Sequence, residues 1–140
     1  MGLLDVVKAK LAAYPSITYE ADDRSIAVPP ASPEGFTVSL ELEGPGCIVF
    51  YEGWHQHFES EEEALNCFGL GLTSACRLRV YRRGGRAYRW TMQYLKEGRW
   101  WFGGTVGLLF FPFWRRREVV VLRNDRIPIA ELEGREDAGE

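Results

Sequence analysis

Apolar and polar positions divide this chain into short segments whose periodicity changes along its length. Leu3, Leu4, Val7 and Leu11 recur at helical spacing, with Lys8 and Lys10 off that stripe. Tyr14 precedes Pro15, a position that disfavours helical backbone, so a short amphipathic helix is predicted to stop there. Alternating runs at 16–20 and 25–28 flank the acidic pair Asp22-Asp23 and predict a hairpin. Pro29, Pro30, Pro33 and Gly35 predict a loop after it. Phe36, Val38, Leu40 and Leu42 then alternate with polar residues, Glu43-Gly44-Pro45-Gly46 turns the chain, and 47–51 returns as a strand. Residues 53–58 are read as extended as well. Ser60 with Glu61, Glu62 and Glu63 forms a capping-box start, and three carboxylates suit the positive end of a helix. Ala64, Leu65, Phe68 and Leu72 give that second helix its apolar stripe, and Gly69 and Gly71 weaken its last turn.

The second half reads as sheet. Cys76, Leu78 and Val80 share one strand face, and Tyr88, Trp90, Met92 and Tyr94 share a face of the next. For both sets to meet one core, paired positions must sum to an even number, which requires an odd loop. Arg83-Gly84-Gly85 with a left-handed Gly85 satisfies this and sets Arg79 opposite Arg89. The same rule makes Lys96-Glu97-Gly98 the next turn and places Trp100 and Phe102 inside, beside Tyr94 and Met92. The opposite face then holds Arg77, Arg79, Tyr81, Arg89, Thr91, Gln93, Arg99 and Trp101. Residues 105–113 are apolar on both sides, which predicts a strand covered twice or a subunit contact. A last strand is expected at 118–122, and an acidic, disordered tail at 131–140. The fold class expected is α+β: a single curved, mainly antiparallel sheet of about seven to eight strands with two α-helices on one face. Residues 1–130 are expected to form one domain, which suits a chain of 140 residues.

Charge changes this picture more than composition does. The net charge of −3 conceals a polarity: residues 1–76 balance to −9, residues 77–117 to +10 and residues 118–140 to −4. Such segregation marks either a face for an anionic partner or two segments that neutralise each other within the fold. The acidic total favours internal neutralisation and weighs against nucleic acid. Cys47, Cys67 and Cys76 form no close pair, an odd count that fits reduced thiols in the cytoplasm. Without a basic-then-apolar leader or an apolar run near 20 residues, neither a signal peptide nor a membrane partner is expected.

Candidate chemistry is sparse. His55 and His57 lie two apart with Glu59 two further on, so in a strand all three share a face, as a zinc or iron site would need. A further ligand is not identified, so a metal ion is the one cofactor considered and none is assigned. Cys47 and Cys76 sit in apolar patterns where thiols are inert, and no serine has a nucleophile-elbow context. Arg77, Arg79, Tyr81, Arg89, Arg99 and Trp101 compose a binding face for an anion or a single strand of nucleic acid. Leu109, Phe111, Phe113 and Trp114, beside Arg115–Arg117, compose an interface for a protein partner or a second copy. The leading expectation is a non-catalytic binding domain. The alternatives are a small metal-dependent enzyme at His55 and His57, and anion or single-strand binding on the arginine face.

Overall fold

The computed structural model describes residues 2–128; the tail expected at 131–140 lies outside them. Helix α1 (Leu3–Leu11) leads into a five-strand meander: β1 (Glu20–Ala21), β2 (Ser25–Val28), β3 (Val38–Glu43), β4 (Gly46–Tyr51) and β5 (Trp54–Phe58). Helix α2 (Glu61–Gly71) follows. Four strands complete the described chain: β6 (Cys76–Arg83), β7 (Arg86–Lys96), β8 (Arg99–Gly107) and β9 (Arg117–Arg123). The architecture is α+β, but the single sheet expected from sequence is corrected to two. The first sheet runs β1-β2-β3-β4-β5 and the second β8-β7-β6-β9, all antiparallel. The break has a physical cause. Helix α2 carries the chain away after β5, and β9 returns to the free edge of β6, so the second meander gains a fourth strand there rather than extending the first.

Each helix behaves as its pattern requires. Leu3, Leu4, Val7 and Leu11 are all buried, and the Ser60 hydroxyl caps α2 by accepting from the Glu63 amide at 3.3 Å. Ala64, Phe68 and Leu72 join one core with Ile26, Val38, Leu40, Val49 and Tyr51 of the first sheet and Leu78, Val80 and Met92 of the second. Helix α2 packs on β3, β4, β5 and β6 and so bridges both sheets. Two glycines let the layers close. A Cβ at Gly71 would stand 2.4 Å from the Tyr51 ring, and one at Gly53 would stand 2.4 Å from the Trp90 ring. Asn124, buried at the exit of β9, accepts from the Phe36 amide at 3.1 Å. Its own amide donates to the carbonyls of Phe36 (3.0 Å) and Gly71 (2.9 Å). One side chain thus ties β9 to the entry of β3 and the end of α2.

The second sheet's register departs from expectation in an instructive way. Arg83 pairs with Arg86, so the turn is the two residues Gly84-Gly85, with φ of 58° and 80°. Positive φ at both positions is what a type I′ turn needs, and its twist matches the flanking strands. The even sum is restored by a bulge between Tyr81 and Arg82, beyond which Val80 pairs with Trp90 and Leu78 with Met92. Arg79 therefore faces Thr91, and Arg89 faces Tyr81; the expected Arg79–Arg89 pairing is not present. The second turn is likewise two residues, Glu97-Gly98, with φ of 55° and 73°. Its compensating bulge lies farther off, between Met92 and Gln93. Every residue of β8 between turn and bulge is consequently flipped. Trp100 pairs with Leu95 and Phe102 with Gln93, on the arginine side, whereas Arg99 and Trp101 lie on the other side.

Candidate binding surfaces

Strand alternation builds the outer face of the second sheet. Arg77, Arg79 and Tyr81 come from β6, Arg89 from β7, and Arg117, Val119, Val121 and Arg123 from β9 through the pairs Arg77–Arg123, Arg79–Val121 and Tyr81–Val119. Arginines gather on two rings. The Tyr81 ring lies under the guanidinium carbons of Arg89 (4.4 Å), Arg117 (4.9 Å) and Arg79 (5.7 Å). The Trp100 ring meets Arg77 at 4.0 Å and Arg123 at 5.1 Å. These contacts leave Tyr81 only 9% exposed. Stacking on a ring face is available to a guanidinium because its charge is delocalised over a weakly hydrated plane.

Among the described residues no carboxylate lies within 4.0 Å of a guanidinium of this layer. Among the described residues, the one ion pair within 4.0 Å is His57 with Glu43, far along the chain from any arginine of the face. The Nε atoms of Arg79 and Arg89 are buried without a hydrogen-bond partner, while Arg77 Nε donates to Gln93 at 2.8 Å. Burial, and then the charges of Arg79 and Arg123, pull the Arg77 guanidinium below the usual arginine range. The internal neutralisation expected from the charge balance is thus not found among the described residues. Of the residues predicted for this face, Arg77, Arg79, Tyr81 and Arg89 are together; Arg99 and Trp101 are not, because of the shorter second turn. Trp101 instead donates its ring N–H to the Lys96 carbonyl at 3.2 Å. Trp100, Arg117 and Arg123 complete the face. The last two were legible as the Arg-x-Val-x-Val-x-Arg alternation of 117–123, whereas Trp100 depended on a bulge.

A second surface lies between β8 and β9. The strand predicted to run to Phe113 ends at Gly107, and 108–116 forms a loop. Phe111 turns inward and stacks on Tyr88, with centroids 4.3 Å apart and planes at 12°. Leu109 (84%), Phe110 (87%), Phe113 (69%) and Trp114 (71%) are exposed. Of the predicted interface residues, Phe111 is therefore the anchor rather than part of the surface, and Phe110 takes its place outside. The loop is held at both ends. The Leu108 amide donates to the Tyr88 carbonyl at 2.7 Å, and the Arg83 guanidinium donates to the carbonyls of Phe113 (3.1 Å) and Arg115 (3.0 Å).

The histidines occupy the outer face of the first sheet. His55 pairs with Phe50 and His57 with Ile48; the two rings are 6.2 Å apart. His57 Nδ1 stands 3.7 Å from a Glu43 carboxylate oxygen, both well exposed. Among the described residues, no group of three or more His, Cys, Asp or Glu side chains is placed to hold a metal ion, so Glu59 does not complete a set with them. Cys47 and Cys76 lie in the core, and Cys67 packs against it. Burial pushes Cys67 up to about 11 and Cys76 and Cys47 upward too, and the Tyr51 hydroxyl donates to the Cys67 carbonyl beside them. No helix among the described residues is long and apolar enough to cross a membrane. Compared with known proteins, the chain matches no family model, no curated protein and no solved structure.

Proposed function

We propose that this chain is a non-catalytic binding domain that docks a protein partner, or a second copy of itself, on the loop 108–114. The supporting observation is a division of labour within that loop. Phe111 is spent on Tyr88 as an anchor, while Leu109, Phe110, Phe113 and Trp114 face solvent on a backbone fixed at both ends. Contiguous exposed apolar side chains of this size are uncommon on a free surface and characterise docking sites. Aromatic anchors beside arginine are the composition of interface hot spots, and Arg115–Arg117 supply that rim. A loop ordered in advance also loses less conformational entropy on binding.

The test is site-specific photo-crosslinking through a benzophenone side chain at position 110, in cells and in purified protein. A discrete adduct is expected, abolished by Trp114→Ser and Leu109→Ser. Its mass tells a second copy from another chain. Diffuse labelling unaffected by those substitutions contradicts the proposal.

A further inference from the structure

The arginine layer of the second sheet lies on a different part of the molecule from the loop, and its chemistry is different. Two rings carry five guanidinium groups, and among the described residues no carboxylate approaches them within 4.0 Å. The strand rise puts Arg77 and Arg79 roughly 7 Å apart along β6. Arg123 and Arg117 flank them on β9, and Arg89 does so on β7, so the charges form a band across the open sheet rather than one focus. Like charges held this close cost stability until an anion lies over them. Beside the band, Phe102 projects from β8 on the same face, 67% exposed and paired with Gln93. Thr105 also stands on that face, its hydroxyl 2.9 Å from that of Thr91.

We infer that the outer face of the second sheet binds single-stranded nucleic acid, with Arg77, Arg79, Arg89, Arg117 and Arg123 on the phosphates and Phe102 stacked against a base. Three features favour this occupant over an acidic polypeptide. Arg117 and Arg123, held over these rings, are exposed, and a guanidinium plane is a surface on which unpaired bases stack. Phe102 offers a bare ring next to them, for which a carboxylate side chain has no use. The sheet has open edges at β8 and β9, and its spread of charge matches a repeating anion better than an isolated one. Of the acidity behind the net charge of −3, the −9 of residues 1–76 belongs to other elements.

The measurement is fluorescence anisotropy of a short labelled oligodeoxythymidylate with the full chain, titrated across salt concentrations. Binding should weaken linearly in log salt, with a slope of about −0.7 for each phosphate engaged. Arg117→Gln with Arg123→Gln, both exposed positions, should lower the slope by about 1.4. Phe102→Ala should weaken binding about tenfold at every salt concentration and leave the slope unchanged. Trp114→Ser, in the loop, should leave binding intact, so this inference and the loop reading fail separately. Three outcomes overturn the inference. One is the absence of salt-dependent binding at low ionic strength. Another is polyglutamate displacing the probe as well as unlabelled oligonucleotide does. The third is binding that appears only after Glu131, Glu133 and Glu136 are changed to Gln, which would make the face a seat for the chain's own acidic end.

Discussion

The two sheets share a core but turn opposite kinds of surface to solvent. The first shows Ser39, Glu41, Phe50, His55 and His57, with the His57–Glu43 pair as its electrostatic contact. The second shows guanidinium groups stacked on Tyr81 and Trp100, with no acid beside them among the described residues. The acidic and basic halves of the chain therefore do not lie across each other. They meet through apolar inner faces, bridged by α2 and by the contact of β5 with β7 and β8. Opposite charge along a sequence neutralises only when the fold brings the charged faces together, and here it brings together the uncharged ones.

Breaking that shared core should have the largest effect. Trp54 is buried at the start of β5, stacked on Tyr51 at 4.8 Å, with its indole nitrogen turned toward Gly104 of β8. Trp54→Ala should cost about 3–5 kcal/mol in urea denaturation, because it removes contacts to both sheets at once. A smaller loss would mean that the sheets are stable apart. Titration offers a second route into the shared core. Cys67 is raised by burial from its ordinary 9.0 to about 11, and Tyr51 and Cys76 are raised with it. The folded state holds these protons longer than the unfolded one does. Their contribution to stability is therefore complete below the unfolded value and lost as pH climbs through the folded one. The urea midpoint should hold up to about pH 9 and fall beyond it. A midpoint flat across that range contradicts this burial.

How much of this was legible in the sequence depends on what each feature rests on. Helix α1, the Ser60 cap and the alternation of β3 and β4 rest on local pattern, and the structure follows them. The Glu43–Gly46 hairpin also closes as expected, on Gly44-Pro45 with Gly44 at positive φ. The division into two sheets was not legible, because strand alternation does not say which edge a strand joins. The even register of β6 and β7 was legible, but the odd loop invoked to produce it was not. Two-residue turns with positive φ are the more favourable closures, and the chain adopts them and corrects the parity later with bulges. Where the correction comes early, at Tyr81, the predicted faces survive. Where it comes late, at Met92, Trp100, Trp101 and Phe102 change sides. That no described carboxylate reaches the arginine face was equally beyond pattern, since it depends on where the other half of the chain goes.

Smaller perturbations sharpen the contrast between the outer faces. Tyr81→Leu keeps the apolar contact of β6 but removes the platform under Arg79, Arg89 and Arg117. It should cost about 1–2 kcal/mol in thermal or chemical denaturation. His55→Ala, on the exposed face of the first sheet, should change stability by less than about 0.5 kcal/mol. Equal losses at the two sites would remove the distinction between a ring that organises charge and one that merely lies on a surface.

The most direct test of the register, and with it of the arginine face, is a pair of double-mutant cycles. One couples Arg77→Ala with Trp100→Ala and the other couples Arg77→Ala with Trp101→Ala, both read by urea denaturation. Stacking of Arg77 on Trp100 at 4.0 Å requires a coupling of about 0.5–2 kcal/mol in the first cycle and none beyond error in the second. Coupling to Trp101 instead, with none to Trp100, would place the bulge elsewhere and contradict the account.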